Sequence, residues 1–370
     1  MRVLLCGGGT AGHVMPAVAM GEIIKRSFPK AEIAYAGRVN GEENKAYEKS
    51  GHRLYTVEVS GLRRSFSINS IKSIIKMLKS GRVADEIIKE FKPDIIIGTG
   101  GYVCYPFIRR GQRLGIKTVI HESNVSPGLV TKLLYKRCDK LLLNLEGTKK
   151  HLNGADNAVV VGNPTRADFG ALSKSEARRR LGIREDEVLI ISFGGSLGAG
   201  ILNQTVGEMI RDYTANDKLL RHVHSSGKSH FEEMKNSFPE LFGAKERVKI
   251  FPYIENMPTL LTAADIAITR SGAMTISELA RSATPAILIP SPNVTANHQY
   301  INAEYMRSIG AAVLIEEKDL SAKRLYDEIM ALVGSKEKMA EMSKRMYSAH
   351  KKDTDTVISK VIREIVREKQ

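Results

Sequence analysis

The chain has 370 residues, which is enough for two domains of ordinary size. Its 42% hydrophobic and 26% charged residues predict a globular protein, and no apolar run approaches the roughly 20 residues of a membrane-spanning helix. The three cysteines form no C-x-x-C pair, which argues against a disulfide framework and against a structural zinc site. We therefore expect a cytoplasmic protein with reduced thiols and no targeting segment.

The net charge of +15 is unevenly distributed. Residues 1–162 contain 26 Lys and Arg against 14 Asp and Glu, whereas the rest of the chain is close to neutral. This excess predicts that the first half contacts an anionic partner. Nucleic acid, an anionic membrane surface and a phosphorylated substrate are the alternatives.

Short apolar runs alternate with helical patterns along the whole chain. The runs are nearly continuous in Val, Ile and Leu, as is typical of parallel strands that are buried on both faces. The predicted strands are 2–6, 31–36, 94–98, 118–122, 140–144, 158–162, 188–195, 219–225, 248–253, 265–269, 285–290 and 311–315. This alternation predicts two α/β domains with parallel sheets and a boundary near 162–166.

Ligands of such sheets bind beyond the carboxyl ends of the strands, and the unusual residues of this chain lie there. The loops at these positions are GGGTAGH (7–13), GTGGY (98–102), HESN (121–124), GNPTR (162–166), GGSLGAG (194–200), TRSGAMTISE (269–278) and SPNVTANHQ (291–299). We therefore expect two sets of loops that face each other across a ligand-binding cleft.

The first of these loops combines a phosphate-binding pattern with a histidine. Gly7, Gly9 and Gly12 have the G-x-G-x-x-G spacing of a turn at a helix N-terminus. A dinucleotide site also needs an acidic residue at the end of the second strand, and this strand ends in YAGR. His13 falls in the predicted first helical turn, where it is either a polar residue at a helix start or a general base.

Three further motifs have a catalytic or a structural interpretation. GGSLG (194–198) fits the G-x-S-x-G nucleophile elbow, but the spacing of the later histidines supports no triad, which favours a phosphate-binding turn. SSGKS (225–229) is not a P-loop, because His222 stands where the first glycine is required. HVH (222–224) places two imidazoles on one strand face without a third ligand nearby, which favours structural or surface histidines over a metal site.

The stretch SGAMTISELA (271–280) follows a short strand and predicts a helix start. Its first turn, from Ala273 to Thr275, has the position at which helix N–H groups bind a phosphate. Glu278 lies one turn further on. There it either accepts hydrogen bonds from ribose hydroxyls or complements the helix dipole.

Residues 63–82 contain six basic residues and no acidic one. The apolar positions have helical spacing and lie beside a basic stripe: Ile71, Ile74, Ile75 and Leu78, with Lys72, Lys76 and Lys79. This pattern is typical of a helix that docks on anionic lipid, and a core-packed helix with a solvated basic face is the alternative. Because Phe66 is the single aromatic residue here, single-stranded nucleic acid is disfavoured.

Several of these motifs together resemble the MurG family of bacterial glycosyltransferases. They are GGGTAGHVMPA, GTGGYV, HESN, GNPTR, GGSLGA, ILNQ, RSGAMTISE and HQYINA, in the order and spacing of the family over nearly the whole chain. The resemblance implies an α/β protein of GT-B fold, with two Rossmann-like domains whose parallel sheets face each other across a cleft. It also implies an acceptor- and membrane-facing domain at 1–163 with a C-terminal helix at about 345–370, and a UDP-sugar donor domain at 164–344.

The activity implied by the resemblance is an inverting transfer of GlcNAc. The donor is UDP-GlcNAc, and the acceptor is the 4-hydroxyl of undecaprenyl-diphosphate-linked N-acetylmuramoyl-pentapeptide (lipid I). The product is lipid II for peptidoglycan synthesis. No metal and no cofactor are implied. The enzyme would act as a peripheral protein at the cytoplasmic face of the bacterial cell membrane, on its anionic surface and without nucleic acid. The alternative is another UDP-sugar enzyme of this fold, such as a UDP-GlcNAc 2-epimerase.

The resemblance also assigns roles to individual residues. Ile254 would meet the uracil through its backbone, Glu278 the ribose, and Gln299 the GlcNAc hydroxyls. The residues expected at the pyrophosphate are Arg166, Ser196, Ala273, Met274 and Thr275. Those expected at the donor sugar in the first domain are Thr10, Ala11, Gly12 and Asn124. His13 would be the catalytic base, with Glu122 as the alternative or a supporting acid. Where many members have Gly, Gln and Arg, this chain has Ala11, Leu197 and Gly200.

Overall fold

The computed structural model describes residues 1–41, 44–59, 68–165, 168–195, 198–215, 217–243, 247–294 and 297–367, with the backbone alone for Ala11 and for 68–79. The chain forms two compact units. The first contains Met1–Thr165 and Lys351–Gln370, and the second contains Arg166–His350. Each unit is built on one parallel sheet, which confirms the predicted α/β class.

The first unit has a seven-stranded sheet in the order β3-β2-β1-β4-β5-β6-β7. Its strands are β1 (Arg2–Cys6), β2 (Glu32–Arg38), β3 (Arg53–Val57), β4 (Ile95–Gly98), β5 (Lys117–Glu122), β6 (Lys140–Leu143) and β7 (Ala158–Val160). Its helices are α1 (Ala11–Ser27), α2 (Lys45–Lys49), α3 (Ile68–Phe91), α4 (Cys104–Leu114), α5 (Leu129–Leu134) and α14 (Thr354–Arg367).

The two faces of this sheet are covered by different helices, because successive side chains of a strand point to opposite sides. Leu4 of β1 packs with α3, α4 and α5 on one face. Leu5 packs with α1 and α14 on the other face, where Ile358 and Ile362 of α14 are fully buried. The C-terminal helix therefore completes the core of the first unit.

The second unit has a six-stranded sheet in the order β10-β9-β8-β11-β12-β13. Its strands are β8 (Val188–Phe193), β9 (Leu220–Ser225), β10 (Val248–Phe251), β11 (Ile266–Thr269), β12 (Ala286–Leu288) and β13 (Ala312–Leu314). Its helices are α6 (Lys174–Leu181), α7 (Gly200–Met209), α8 (Phe231–Ser237), α9 (Met257–Ala263), α10 (Ala273–Arg281), α11 (His298–Ser308), α12 (Ala322–Val333) and α13 (Lys336–Ser348).

Two features differ from the sequence-based expectation. Strand β3 was not predicted, because it is an edge strand whose residues alternate between buried and exposed rather than forming an apolar run. The C-terminal segment that returns to the first unit, expected at about 345–370, starts a few residues later in the structure. Met342 and Met346 of α13 are buried in the second unit, so the segment that returns to the first unit starts at Lys351.

The sheet orders locate the ligand-binding edges. In the first sheet the direction of strand addition reverses between β1 and β4, and in the second it reverses between β8 and β11. The loops at the carboxyl ends of these strand pairs form the crevice in which parallel sheets bind ligands. Within the part of the chain described above, no helix is long and apolar enough to span a bilayer.

Candidate functional site

The loop after β1 places His13 at the carboxyl ends of β1 and β4, where the strand order of the first sheet reverses. Helix α1 begins at Ala11, so His13 lies in its first turn, as the sequence predicts. The imidazole Nδ1 lies 3.2 Å from the carbonyl oxygen of Gly8 and 3.3 Å from Oγ1 of Thr10. A carbonyl only accepts hydrogen bonds, so Nδ1 carries the proton when it bonds to Gly8. Nε2 is then the basic nitrogen of a neutral His13.

The loop after β4 forms a wall against this histidine. The hydroxyl of Thr99 donates to the backbone carbonyl of His13 at 2.7 Å. A Cβ on Gly100 would lie 2.4 Å from Cδ2 and 2.9 Å from Nε2 of His13. A Cβ on Gly101 would lie 2.0 Å from the carbonyl oxygen of Gly8. The sequence indicates this loop through its GTGGY motif but predicts no role for Thr99, Gly100 or Gly101. The feature that could identify them is the glycine pair directly after β4, where the strand order reverses.

Glu122 organises the loop after β5. Its Oε1 accepts hydrogen bonds from the backbone N–H and the side-chain amide of Asn124, at 3.0 and 3.2 Å. Its Oε2 accepts from the backbone N–H of Gly128 at 2.9 Å and from the hydroxyl of Thr131 at 2.7 Å. The carboxylate is buried and accepts hydrogen bonds from four donors of this loop and of α5. This geometry fixes the position of Asn124.

The loop after β11 leads into the first turn of α10 in the second unit. Gly272 is the N-cap, and Ala273, Met274 and Thr275 form the half-buried first turn, as predicted. The first N–H groups of a helix have no intrahelical partner, so this turn is suited to bind a phosphate. Glu278 follows one turn later and is also half-buried.

Ser271 connects this turn to the N-terminus of α11. Its hydroxyl donates to the backbone carbonyl of Gln299 at 2.8 Å, and its own carbonyl accepts from the side-chain amide of Asn302 at 3.3 Å. The backbone N–H of Ser291 donates to Oε1 of Gln299 at 2.9 Å. This bond fixes the orientation of the Gln299 amide. The sequence predicts no role for Asn302, because no sequence motif marks a buried amide inside a helix.

The loop after β8 packs on the loop after β9. Gly195 and Gly198 have φ values of +93° and +81°, which few residues besides glycine adopt readily. A Cβ on Gly198 would lie 2.0 Å from the carbonyl oxygen of Ser226, so the two loops are in close contact. Arg166 and Ser196, which the sequence placed at the pyrophosphate, lie outside the described residues, as does Leu197. Ile254 follows β10 and is buried.

The two histidines of the HVH motif are structural. His222 Nε2 and His224 Nδ1 each lie 2.7 Å from the hydroxyl oxygen of Ser192 in β8. Burial lowers the pKa of both imidazoles to about 3, so both are neutral near pH 7. Among the described residues, no group of three or more His, Cys, Asp or Glu side chains is placed to hold a metal ion.

Comparison with known proteins identifies two family domains. Residues 3–143 match the glycosyltransferase family 28 N-terminal domain, and residues 189–358 match the glycosyltransferase family 28 C-terminal domain. A protein of Acetivibrio thermocellus is 35% identical over 369 residues, covering 100% of this chain and 99% of the relative. It is named UDP-N-acetylglucosamine–N-acetylmuramyl-(pentapeptide) pyrophosphoryl-undecaprenol N-acetylglucosamine transferase.

Solved structures share the fold. The crystal structure of Acinetobacter baumannii MurG superposes with a TM-score of 0.77 at 21% identity, covering 98% of this chain and 99% of that one. UDP-GlcNAc 2-epimerase from Neisseria meningitidis, bound to UDP-GlcNAc, superposes with a TM-score of 0.64 at 14% identity over 100% of both chains. These similarities confirm two Rossmann-like domains of the GT-B class. Because proteins of different activity share this fold, the family is identified by the sequence identity over the full length. The chain belongs to glycosyltransferase family 28, within the MurG family of N-acetylglucosamine transferases.

Proposed function

We propose that the chain transfers GlcNAc from UDP-GlcNAc to the 4-hydroxyl of lipid-linked N-acetylmuramoyl-pentapeptide, with inversion at the anomeric carbon. The product is lipid II, a precursor of the peptidoglycan on which bacterial cell shape and division depend. The observation that carries this proposal is the 35% identity with a transferase of that name along both units. The geometry at His13, Glu278 and Gln299 supports it.

The second unit binds the donor in this proposal. The backbone at Ile254 contacts the uracil, and Glu278 accepts hydrogen bonds from the ribose hydroxyls. The first turn of α10 holds the diphosphate, to which Arg166 and Ser196 also contribute. Gln299 donates from Nε2 to the GlcNAc hydroxyls, and the hydrogen bond from Ser291 to Oε1 fixes the orientation of its amide. Backbone N–H groups aimed at the departing diphosphate stabilise its charge in the transition state.

The first unit activates the acceptor. Nε2 of His13 removes the proton from the 4-hydroxyl as its oxygen attacks the anomeric carbon, and the C1–O bond to UDP breaks on the opposite side. A well-placed general base contributes about 10²–10⁴-fold. Thr10, Ala11, Gly12 and Asn124 position the GlcNAc group of the donor. Because four donors from the following loop and from α5 bond to Glu122, we assign it the role of fixing Asn124 rather than of moving a proton.

We also infer a peripheral membrane site at the cytoplasmic face, on the side of the first sheet that carries α3, α4 and α5. Three leucines of α4 and α5 are exposed there, namely Leu114 at 58%, Leu129 at 47% and Leu133 at 58%. Exposed basic side chains lie beside them: Arg113, Lys132, Lys136 and Arg137. Exposed apolar side chains next to basic ones favour binding to an anionic lipid surface. For the predicted stripe Ile71, Ile74, Ile75 and Leu78, with Lys72, Lys76 and Lys79, the side chains lie outside the described residues.

The decisive experiment measures transfer of labelled GlcNAc from UDP-GlcNAc to a lipid I analogue in the presence of EDTA. A disaccharide-lipid product would support donor, acceptor and metal-independent chemistry together. Release of UDP with a free sugar instead would favour a 2-epimerase. His13→Ala should lose about 10²–10⁴-fold in kcat with the KM for UDP-GlcNAc nearly unchanged. An unchanged kcat would remove His13 from the role of base.

A further inference from the structure

The thiol of Cys104 lies beneath the wall that contacts His13. Cys104 is the first residue of α4 and is almost fully buried. Its Sγ lies 2.9 Å from the carbonyl oxygen of Gly100 and accepts from the backbone N–H of the same residue at 3.2 Å. It also lies 2.8 Å from the carbonyl oxygen of Cys6, the last residue of β1. One side chain therefore contacts both polar backbone atoms of Gly100 and the end of the strand that leads to His13.

Gly100 lies between Cys104 and the imidazole of His13 and contacts both. Its φ of +118° is a conformation that side-chain-bearing residues rarely adopt. Its backbone lies so close to the ring that a Cβ would be 2.4 Å from Cδ2 of His13. A displacement of Gly100 would therefore change the orientation of the His13 ring at its Cδ2–Nε2 edge.

We propose that Cys104 is a positioning residue for the reaction, acting through Gly100 on the imidazole of His13. The inference rests on the proposed role of His13 as the base. The thiol fixes the turn from Gly100 to Cys104, and the turn fixes the ring. A thiol suits this position because it is small, donates one hydrogen bond and accepts weakly, and packs in an apolar core.

Kinetic comparison of three single variants tests this assignment. Cys104→Ala removes the contacts to Gly100, whereas Cys104→Ser keeps a donor and an acceptor in reach of it. Cys138→Ala is the matched control, since Cys138 is a buried thiol of the same unit that bonds the carbonyls of Tyr135 and Lys140. We expect Cys104→Ala to lower kcat about three- to tenfold, as a small misplacement of a reacting group does, with an unchanged KM for UDP-GlcNAc. Cys104→Ser should restore most of kcat, and Cys138→Ala should leave kcat unchanged.

A spectroscopic measurement separates positioning from simple loss of stability. The nitrogen resonances of ¹⁵N-labelled His13, assigned by their absence in His13→Gln, should shift in Cys104→Ala and stay in place in Cys138→Ala. Equal loss of thermal stability in both alanine variants, with unchanged kcat and unchanged His13 resonances, would make Cys104 an ordinary core residue. The resonances do not depend on turnover. A shift in Cys104→Ala together with a fully active His13→Ala would therefore overturn the proposed base and retain the contact chain.

Discussion

The guanidinium of Arg270 is paired with the carboxylate of Glu317 at 2.5 Å, and both side chains are largely buried, at 11% and 19% exposure. Arg270 follows β11 and Glu317 lies after β13. The guanidinium also donates to the carbonyl of Ile289, which follows β12, at 3.1 Å. A single side chain therefore joins the carboxyl ends of three neighbouring strands. Its charge is neutralised by the protein itself, although it stands only three residues before the first turn of α10.

Removal of this pair should loosen the donor loops. Arg270→Met leaves the Glu317 carboxylate without its buried partner, and we expect the free energy of unfolding to fall by about 2 kcal/mol. The KM for UDP-GlcNAc should rise, because the segment that Arg270 holds at Ile289 continues to Ser291, which orients Gln299. Chemical denaturation and steady-state kinetics measure the two effects. Lys323→Met, which breaks the exposed pair with Asp327, is the control and should change neither. Wild-type stability in Arg270→Met would show that the pair contributes little.

A side chain at position 100 should disable the base. In Gly100→Ala the methyl group would overlap the His13 ring, and the φ of +118° would add strain. We expect kcat to fall by about tenfold or more, with little change in the KM for UDP-GlcNAc, because the residues proposed to bind the UDP group belong to the second unit. Gly81→Ala, in α3, meets no atom within 4 Å and should keep full activity. If Gly100→Ala turned over at the wild-type rate, the wall could not be in contact with the catalytic ring.

The stability of the protein should decrease in acid because of His222 and His224. Burial holds the folded-state pKa of both at about 3, whereas an unfolded histidine titrates near 6.5. Between about pH 6.5 and pH 3 the unfolded chain therefore binds protons that the folded chain does not. Falling pH favours unfolding by up to about 1.4 kcal/mol per pH unit for each imidazole.

Denaturation at pH 7, 6 and 5 tests this prediction. The double variant His222→Val/His224→Val should depend less on pH than the wild type, and His151→Gln, at an exposed position, should match the wild type. The difference between proteins is the readout, because burial also lowers the pKa of His121 in the first unit. Parallel pH curves for the wild type and the double variant would contradict the prediction.

Binding to lipid vesicles should depend on the exposed face of α5. Lys132→Gln should weaken binding to vesicles containing phosphatidylglycerol about fivefold, since each basic residue near an anionic surface contributes about 1 kcal/mol. Leu133→Gln should weaken binding at high salt as well, because its contribution is apolar. Leu219→Gln removes a leucine of the second unit that is 51% exposed and serves as the control. Equal effects of the Leu133 and Leu219 variants would exclude α5 as the docking face.

The sequence by itself determined the parallel strands, the glycine turns and the helix starts that carry His13 and Glu278. These are local properties. A run of Val, Ile and Leu is buried on both sides wherever its sheet is placed, and a glycine turn before a helix presents N–H groups in any context. Edge strand β3 is not predicted because its alternating pattern is weak. The C-terminal segment, expected from about 345, starts at Lys351 because the end of α13 packs in the second unit.

Only the tertiary structure decided which loops meet. Strands β1 and β4 are neighbours in the sheet although some 90 residues separate them, as their register from Val3–Ile95 to Cys6–Gly98 shows. This order places Gly100 against His13 and Cys104 against the end of β1. Long-range packing is also needed for Arg270 to reach Glu317, whereas the four donors that enclose Glu122 all lie within nine residues of it. Sheet order is set by crossover connections and by the burial of whole faces, and no short stretch of sequence encodes either.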